Sequence, residues 1–97
     1  MTRSMHRAAE NDLAIAFRYY KTEAGESVAK RFLDEFERTA RLLDSNPGFG
    51  APTSANRRCF PLRDYPYSVI YRETHTGIRI LVVRHQSREP SFGDDRG

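Results

Sequence analysis

The stretch FPLRDYPYSVIYRETHTGIRILVVRHQSREP, residues 60–90, decides the fold of this 97-residue chain. Tyr67 to Arg72 is rich in aromatic and β-branched residues, which is strand composition. Thr74-His75-Thr76-Gly77 follows as a hairpin turn, its glycine suited to positive φ. Ile78 to His85 is the next strand, and Ile80-Leu81-Val82-Val83 within it is apolar on both faces, which predicts a position between two neighbours. Upstream, Arg57 to Arg63 reads as a strand, Pro61 inside it predicts an edge, and Asp64-Tyr65-Pro66 turns the chain into Tyr67.

Before this block the period changes from two to about 3.6. Ala9, Leu13, Ala16, Phe17 and Tyr20 form one stripe of a helix over residues 8–21. Gly25 interrupts it, and a second helix carries Val28, Ala29, Phe32, Leu33, Phe36, Ala40 and Leu43 on one face. Asn46-Pro47-Gly48 ends that helix, because proline disfavours helical geometry at the residue before it. The short link predicts an antiparallel helical hairpin. Residues 48–56 read as a loop, and the polar tail, residues 91–97, as a fraying end. The expected fold is α+β: an N-terminal helical hairpin packed on a small antiparallel β-sheet.

Alternation sorts the sheet into two faces. Tyr67, Val69 and Tyr71, with Ile78, Ile80 and Val82, are expected under the helices. Ser68, Ile70 and Arg72, with Arg79, Leu81, Val83 and His85, are expected on the other face, and no remaining element is expected to cover it. A mixed apolar and basic face of that kind predicts a partner.

Charge points the same way. Residues 1–48 balance eight basic against eight acidic side chains, whereas residues 57–88 hold seven arginines against Asp64 and Glu73. Such a block suits an acidic partner. The length allows one domain, residues 1–97 with an ordered core at about 8–92, and leaves no room for a dinucleotide-binding unit. The chain has no apolar run of membrane-spanning length and no signal-peptide pattern at its start, so a cytoplasmic protein is expected. Cys59 is the sole cysteine, which excludes an internal disulfide and a cysteine-based zinc site. His6, His75 and His85 are widely spaced without clustered acids, so no metal and no cofactor is expected.

The order of these elements resembles the RelE/ParE toxin superfamily, and ParE more than RelE. The resemblance is carried by Asp12-Leu13, Arg31-Phe32-Leu33-Asp34-Glu35, Asn46-Pro47-Gly48-Phe49-Gly50 with Pro52, Phe60-Pro61-Leu62, the run Tyr65 to Arg72, and His85-Gln86 with Arg88 and Pro90. It spans roughly residues 8–92. Two places depart from the family. Thr2 to Arg7 is mostly polar where the family opens with an apolar strand, leaving an extra N-terminal strand short, displaced or absent. Phe92 is followed by Gly93 where the family often ends in paired aromatics.

The resemblance implies a toxin of a type II toxin–antitoxin system, neutralised by a ParD-like antitoxin whose C-terminal segment wraps it. ParE toxins are associated with poisoning DNA gyrase, and RelE toxins with cleaving messenger RNA on the ribosome. RNA cleavage needs a base, an acid and cations around the phosphate. Ser68 stands where the RelE pattern carries an arginine, the only lysines are Lys21 and Lys30 on the helices, and no tyrosine follows Tyr71. His85, Arg88 and Arg72, with Glu89 nearby, are the set left to a ribonuclease, and Arg84 alternates away from His85. Gyrase inhibition by binding is therefore the first expectation, ribonuclease activity the second, and an inactive antitoxin-binding homologue the third. Neither a membrane partner nor sequence-specific binding to nucleic acid is expected. The antitoxin is expected on Arg57, Arg58, Ile70, Arg72, Arg79, Leu81 and Val83, and the target at His85, Arg88 and Phe92.

Overall fold

Two helices lie on one face of a five-stranded sheet in a computed structural model that describes residues 2–97. Met1, inside the expected 1–97 domain, lies outside the described residues. The strands are β1 (Thr2–Met5), β2 (Ala51–Thr53), β3 (Arg57–Pro61), β4 (Tyr67–Glu73) and β5 (Gly77–His85). They are ordered β1-β5-β4-β3-β2. The sheet is mixed: β2 to β5 pair antiparallel, but β1 joins β5 in parallel. Polar β1 does form a strand. Its backbone pairs with β5, Arg3 reaches Glu37 at 2.9 Å and Asp44 at 3.5 Å, and Met5 packs against the core.

Helix α1 (Arg7–Ala24) starts at His6, whose Nδ1 accepts the Ala8 amide at 3.0 Å in the manner of an N-cap side chain. Gly25, at φ 96°, ends α1 and begins α2 (Glu26–Ser45), so the expected hairpin link is a single residue in a conformation that favours glycine. Helix α2 buries Ala29, Phe32, Phe36, Thr39, Ala40 and Leu43, spaced three and four apart as one face of a helix must be. It stops where Asn46 donates through its backbone and its side chain to the Leu42 carbonyl, at 2.9 and 3.0 Å.

The segment expected as a loop is partly ordered as a 3-10 turn (Pro47–Phe49) and as β2. Tyr71, fully buried, fixes it: its hydroxyl donates to the Pro47 carbonyl at 2.6 Å and accepts the Gly50 amide at 2.9 Å. The approach is so close that a Cβ at Gly50 would lie 2.7 Å from the Tyr71 hydroxyl. With β2 present, β3 is an edge only at its end. Pro61 lies beyond the residues that pair with β2, so its missing amide breaks no ladder there.

The face assignment holds for Tyr67, Val69, Tyr71, Ile78 and Ile80, and reverses after that. Ile70 pairs with Val82 but Tyr71 pairs with Ile80, so Leu81 is the extra residue of a β-bulge. Val83, expected on the outer face, joins the core beneath the helices. Val82, expected beneath the helices, lies instead with Ile70 and Leu81 in a second cluster on the outer face.

That outer face is not bare. The C-terminal residues fold over it, contrary to the expected fraying. Phe92 packs on the Ile70, Leu81 and Val82 cluster, and Gly93 is buried with φ 85°, a Cβ there lying 2.4 Å from Val82. Among the described residues no helix is long and apolar enough to cross a membrane.

Candidate docking sites on the two faces of the sheet

The outer site is built on β3, β4 and β5. Arg57, 7% exposed, extends beneath the C-terminal strap and donates to the carbonyls of Gly93 at 2.9 Å, Asp94 at 3.1 Å and Arg96. Arg84 donates to the Pro90 carbonyl at 2.8 Å. A cavity of about 310 Å³ opens between strap and sheet, with Arg57, Arg84, Cys59, Phe92 and Asp94 in its wall. Further along the same face Arg72 and Arg79 stand directly opposite each other, an unfavourable like-charge pairing. Arg79 donates to Ser4 Oγ at 3.3 Å, while on the opposite face, at the sheet's margin, Arg58 lies 3.5 Å from Glu73.

The second site is a groove on the helix side, at the end of β5. Its volume is about 450 Å³ and it is lined by Asp12, Ile15, Ala16 and Tyr19 of α1, by Tyr67, Val83 and His85 of the sheet, and by Ser87, Arg88 and Phe92. Ile15 and Tyr19 are 53% and 58% exposed, one helical turn apart on α1. The floor is rigid because it belongs to an aromatic cluster. Tyr67 stacks edge-on against His85 at 5.0 Å and against Tyr20 at 6.2 Å, and Tyr20 in turn meets Phe32 and Tyr65. Burial, with Tyr67, Tyr65 and Tyr19 nearby, pushes the Tyr20 phenol up to about 12, so it stays protonated. Burial likewise raises the Tyr67 phenol. The rim is cationic: the Arg88 guanidinium sits 4.0 Å above the Phe92 ring, and Arg96 approaches the same ring at 5.0 Å.

Asp12 and Arg96 join the two sites. Strand β1 ends opposite Ile80, so beyond that point β5 has no strand on that side. Asp12 accepts the Val83 amide at 3.0 Å and Arg96 donates to the Leu81 carbonyl at 3.1 Å, while the two side chains pair at 2.5 Å. An ion pair thus caps the free edge that the bulge presents.

The expected residues therefore separate. Ile70 and Leu81 lie under Phe92, Arg57 is buried below the strap, and Val83 is on the helix side. Arg72 and Arg79 remain at the accessible end of the outer face, Arg79 donating to the Gly97 carbonyl at 3.2 Å, whereas Arg58 stands opposite Tyr71 and so lies on the helix side. His85, Arg88 and Phe92 do meet, around the groove. Arg72 does not join them: His85 pairs with Tyr67 at the other end of β4, roughly 17 Å away at about 3.4 Å per residue. His85 Nδ1 accepts the Ser87 amide at 3.0 Å, which assigns a ring proton to Nε2. Among the described residues no three His, Cys, Asp or Glu side chains converge as metal ligands. Sequence reading missed Ile15, Tyr19 and Arg96. Ile15 and Tyr19 were legible as apolar residues left outside the first stripe, whereas nothing in the sequence marks Arg96.

Comparison with known proteins agrees with this architecture. Residues 4–90 match the family described as ParE toxin of type II toxin-antitoxin system, parDE. Toxin ParE2 of Mycobacterium tuberculosis is 32% identical over 93 residues, covering 94% of this chain and 89% of that protein, in both strains CDC 1551 / Oshkosh and ATCC 25618 / H37Rv. In fold, the chain is similar to a structure titled chromosomal ParDE TA system from P. aeruginosa. The TM-score is 0.78 at 24% identity, covering 88% of this chain and 95% of that one. The chain belongs to the ParE toxin family of type II toxin–antitoxin systems.

Proposed function

We propose that this toxin inhibits DNA gyrase by binding and is neutralised by a ParD-type antitoxin in the cytoplasm. The observation that carries the reading is the groove beside α1, where Ile15 and Tyr19 lie exposed beside the cationic rim of Arg88 in a member of the ParE family. Exposed apolar residues with a charged border favour a protein partner. His85, Arg88 and Phe92 are the target contacts in this reading. Apolar anchors of the antitoxin enter the groove, and its acids meet Arg58, Arg72 and Arg79, so the antitoxin masks the residues that face gyrase. The similarity to Toxin ParE2 and to a ParDE structure supports the assignment. The separation of Arg72 from His85 favours binding over RNA cleavage.

A supercoiling assay with purified gyrase tests the proposal. Inhibition at micromolar toxin, relieved by the antitoxin encoded beside it, is the expected result. Absence of inhibition, or cleaved messenger in a translating extract, overturns it.

A further inference from the structure

We propose that the strap, residues 91–97, is a stand-in ligand: it fills in the free toxin the outer-face site that an extended acidic segment of the antitoxin takes in the complex. The inference rests on the antitoxin reading above and adds where the acidic segment docks and what it must displace.

Over the outer cavity the polar contacts that hold the strap are of a replaceable kind; its ionic anchor, Arg96 to Asp12, lies apart at the edge of the sheet. Arg57 is nearly buried, yet its acceptors there are three backbone carbonyls, and Arg84 likewise donates to the carbonyl of Pro90. Among the described residues no Asp or Glu side chain lies within ion-pair reach of either. A carboxylate offers guanidinium a bidentate, charge-neutralising partner that a single neutral carbonyl does not. A peptide carboxylate in the cavity between Arg57 and Arg84 would therefore outcompete what the strap offers. The strap's own Asp94 lines that cavity without pairing, which places an acid at its wall. The apolar requirement is equally simple: one ring, Phe92, covers Ile70, Leu81 and Val82.

The strap can also leave without breaking the sheet. Its backbone amide bonds are local, from Phe92 to Glu89, Asp94 to Ser91 and Arg96 to Gly93, and it adds no strand to the sheet. Departure has a consequence on the other face. Phe92 stands in the walls of both the outer cavity and the groove, and Arg96 is the partner of Asp12 in the groove wall. Filling the outer site with an antitoxin segment thus dismantles one wall of the groove assigned to the target.

The test measures association of the full-length toxin with the purified antitoxin encoded beside it, together with deuterium uptake of residues 91–97. On binding, the wild-type strap is expected to gain uptake while residues 70 and 81–82 stay protected. Phe92→Ala and the double variant Asp12→Asn/Arg96→Gln, which leaves no unpaired buried charge, are checked for folding by thermal melting and each expected to bind about tenfold faster or tighter, because the fraction of toxin with the site vacant rises. A strap that stays protected in the complex, or variants that bind equally or more weakly, overturn the inference and leave the antitoxin reading standing. Should Phe92→Ala fail to fold, Asp12→Asn/Arg96→Gln and the wild-type exchange decide the matter. No binding to the wild-type toxin at all overturns both.

Discussion

Asp12 and Arg96 are 84 residues apart in the chain and meet at 2.5 Å, with side chains only 8% and 13% exposed. Their pair closes the fold from its first helix to its last turn. Removing one member of a buried pair leaves the other charge uncompensated, and the penalty is about 3–5 kcal/mol. Asp12→Asn is therefore expected to lower the melting temperature by roughly 10–20 °C. The double variant Asp12→Asn/Arg96→Gln should recover part of that loss, and a double-mutant cycle by urea unfolding reads the coupling directly.

Gly25 and Gly93 form a natural control. Both have positive φ, 96° and 85°, but a Cβ at Gly25 meets nothing within 4 Å whereas one at Gly93 lies 2.4 Å from Val82. Gly25→Ala is expected to destabilise by about 1 kcal/mol from backbone strain alone. Gly93→Ala should destabilise by more, about 2–3 kcal/mol, and adding Val82→Ala should recover the steric part of that difference. Equal effects of the two single changes would refute the close packing of the strap.

Tyr71→Phe isolates one hydroxyl. It leaves the ring in the core but leaves the Gly50 amide without its acceptor and the Pro47 carbonyl without its donor. The expected loss is about 1–3 kcal/mol with an unchanged denaturant slope. Faster amide exchange at Gly50 should accompany it.

Glu35 makes the fold sensitive to acid. It accepts from Arg38 at 2.7 and 2.8 Å, from the Arg63 amide at 2.6 Å and from Thr39 at 3.2 Å. The Arg38 hydrogen bond, helped by those of Arg63 and Thr39 and opposed by burial, holds its carboxyl below the ordinary 4.5. A carboxyl held low in the folded state stabilises the fold above its unfolded value. That contribution is present above pH 4.5 and is lost as pH falls through the lower folded value. Glu35→Gln should be less stable than the wild type at pH 7, and the gap should narrow below pH 4.5 in chemical denaturation.

Ile15 and Tyr19 separate binding from folding. Each is more than half exposed, so Ile15→Glu and Tyr19→Ala should change stability by no more than about 0.5 kcal/mol. As anchors of a protein interface they should lower partner affinity by about 2 kcal/mol or more, roughly thirtyfold. Reversing Arg58, Arg72 and Arg79 to glutamate should instead slow antitoxin association and flatten its salt dependence. Titration calorimetry and stopped-flow measurements at two salt concentrations distinguish these patterns.

What the sequence disclosed follows from which forces are periodic. The apolar spacing of Phe32, Phe36, Ala40 and Leu43 repeats with the helix, and that of Val69 and Tyr71 repeats with the strand, so both were readable. Thr2 to Met5 was not, because an edge strand held by backbone pairing and by Arg3 needs no apolar run. The strap escaped notice because Arg57 holds it through carbonyls, which every residue possesses. Among the site residues, the meeting of His85, Arg88 and Phe92 followed from their nearness in the chain. Asp12 and Arg96 come together only through the folded path.

The extra residue at Leu81 acts as a phase shift written into one strand. Up to Ile80, even-numbered positions of β5 point to the helices; from Val82 onward, odd-numbered ones do. A polar substitution at Val83 therefore strikes the main core, whereas the same change at Val82 falls beneath the strap, the reverse of what parity dictates. Pairing Leu81 into the ladder without a bulge would restore strict alternation and exchange the two faces of the strand's last residues. His85 would then leave the groove and Arg84 would enter it. A single inserted residue thus decides which cationic or aromatic groups face a partner, while the strand order can stay as it is.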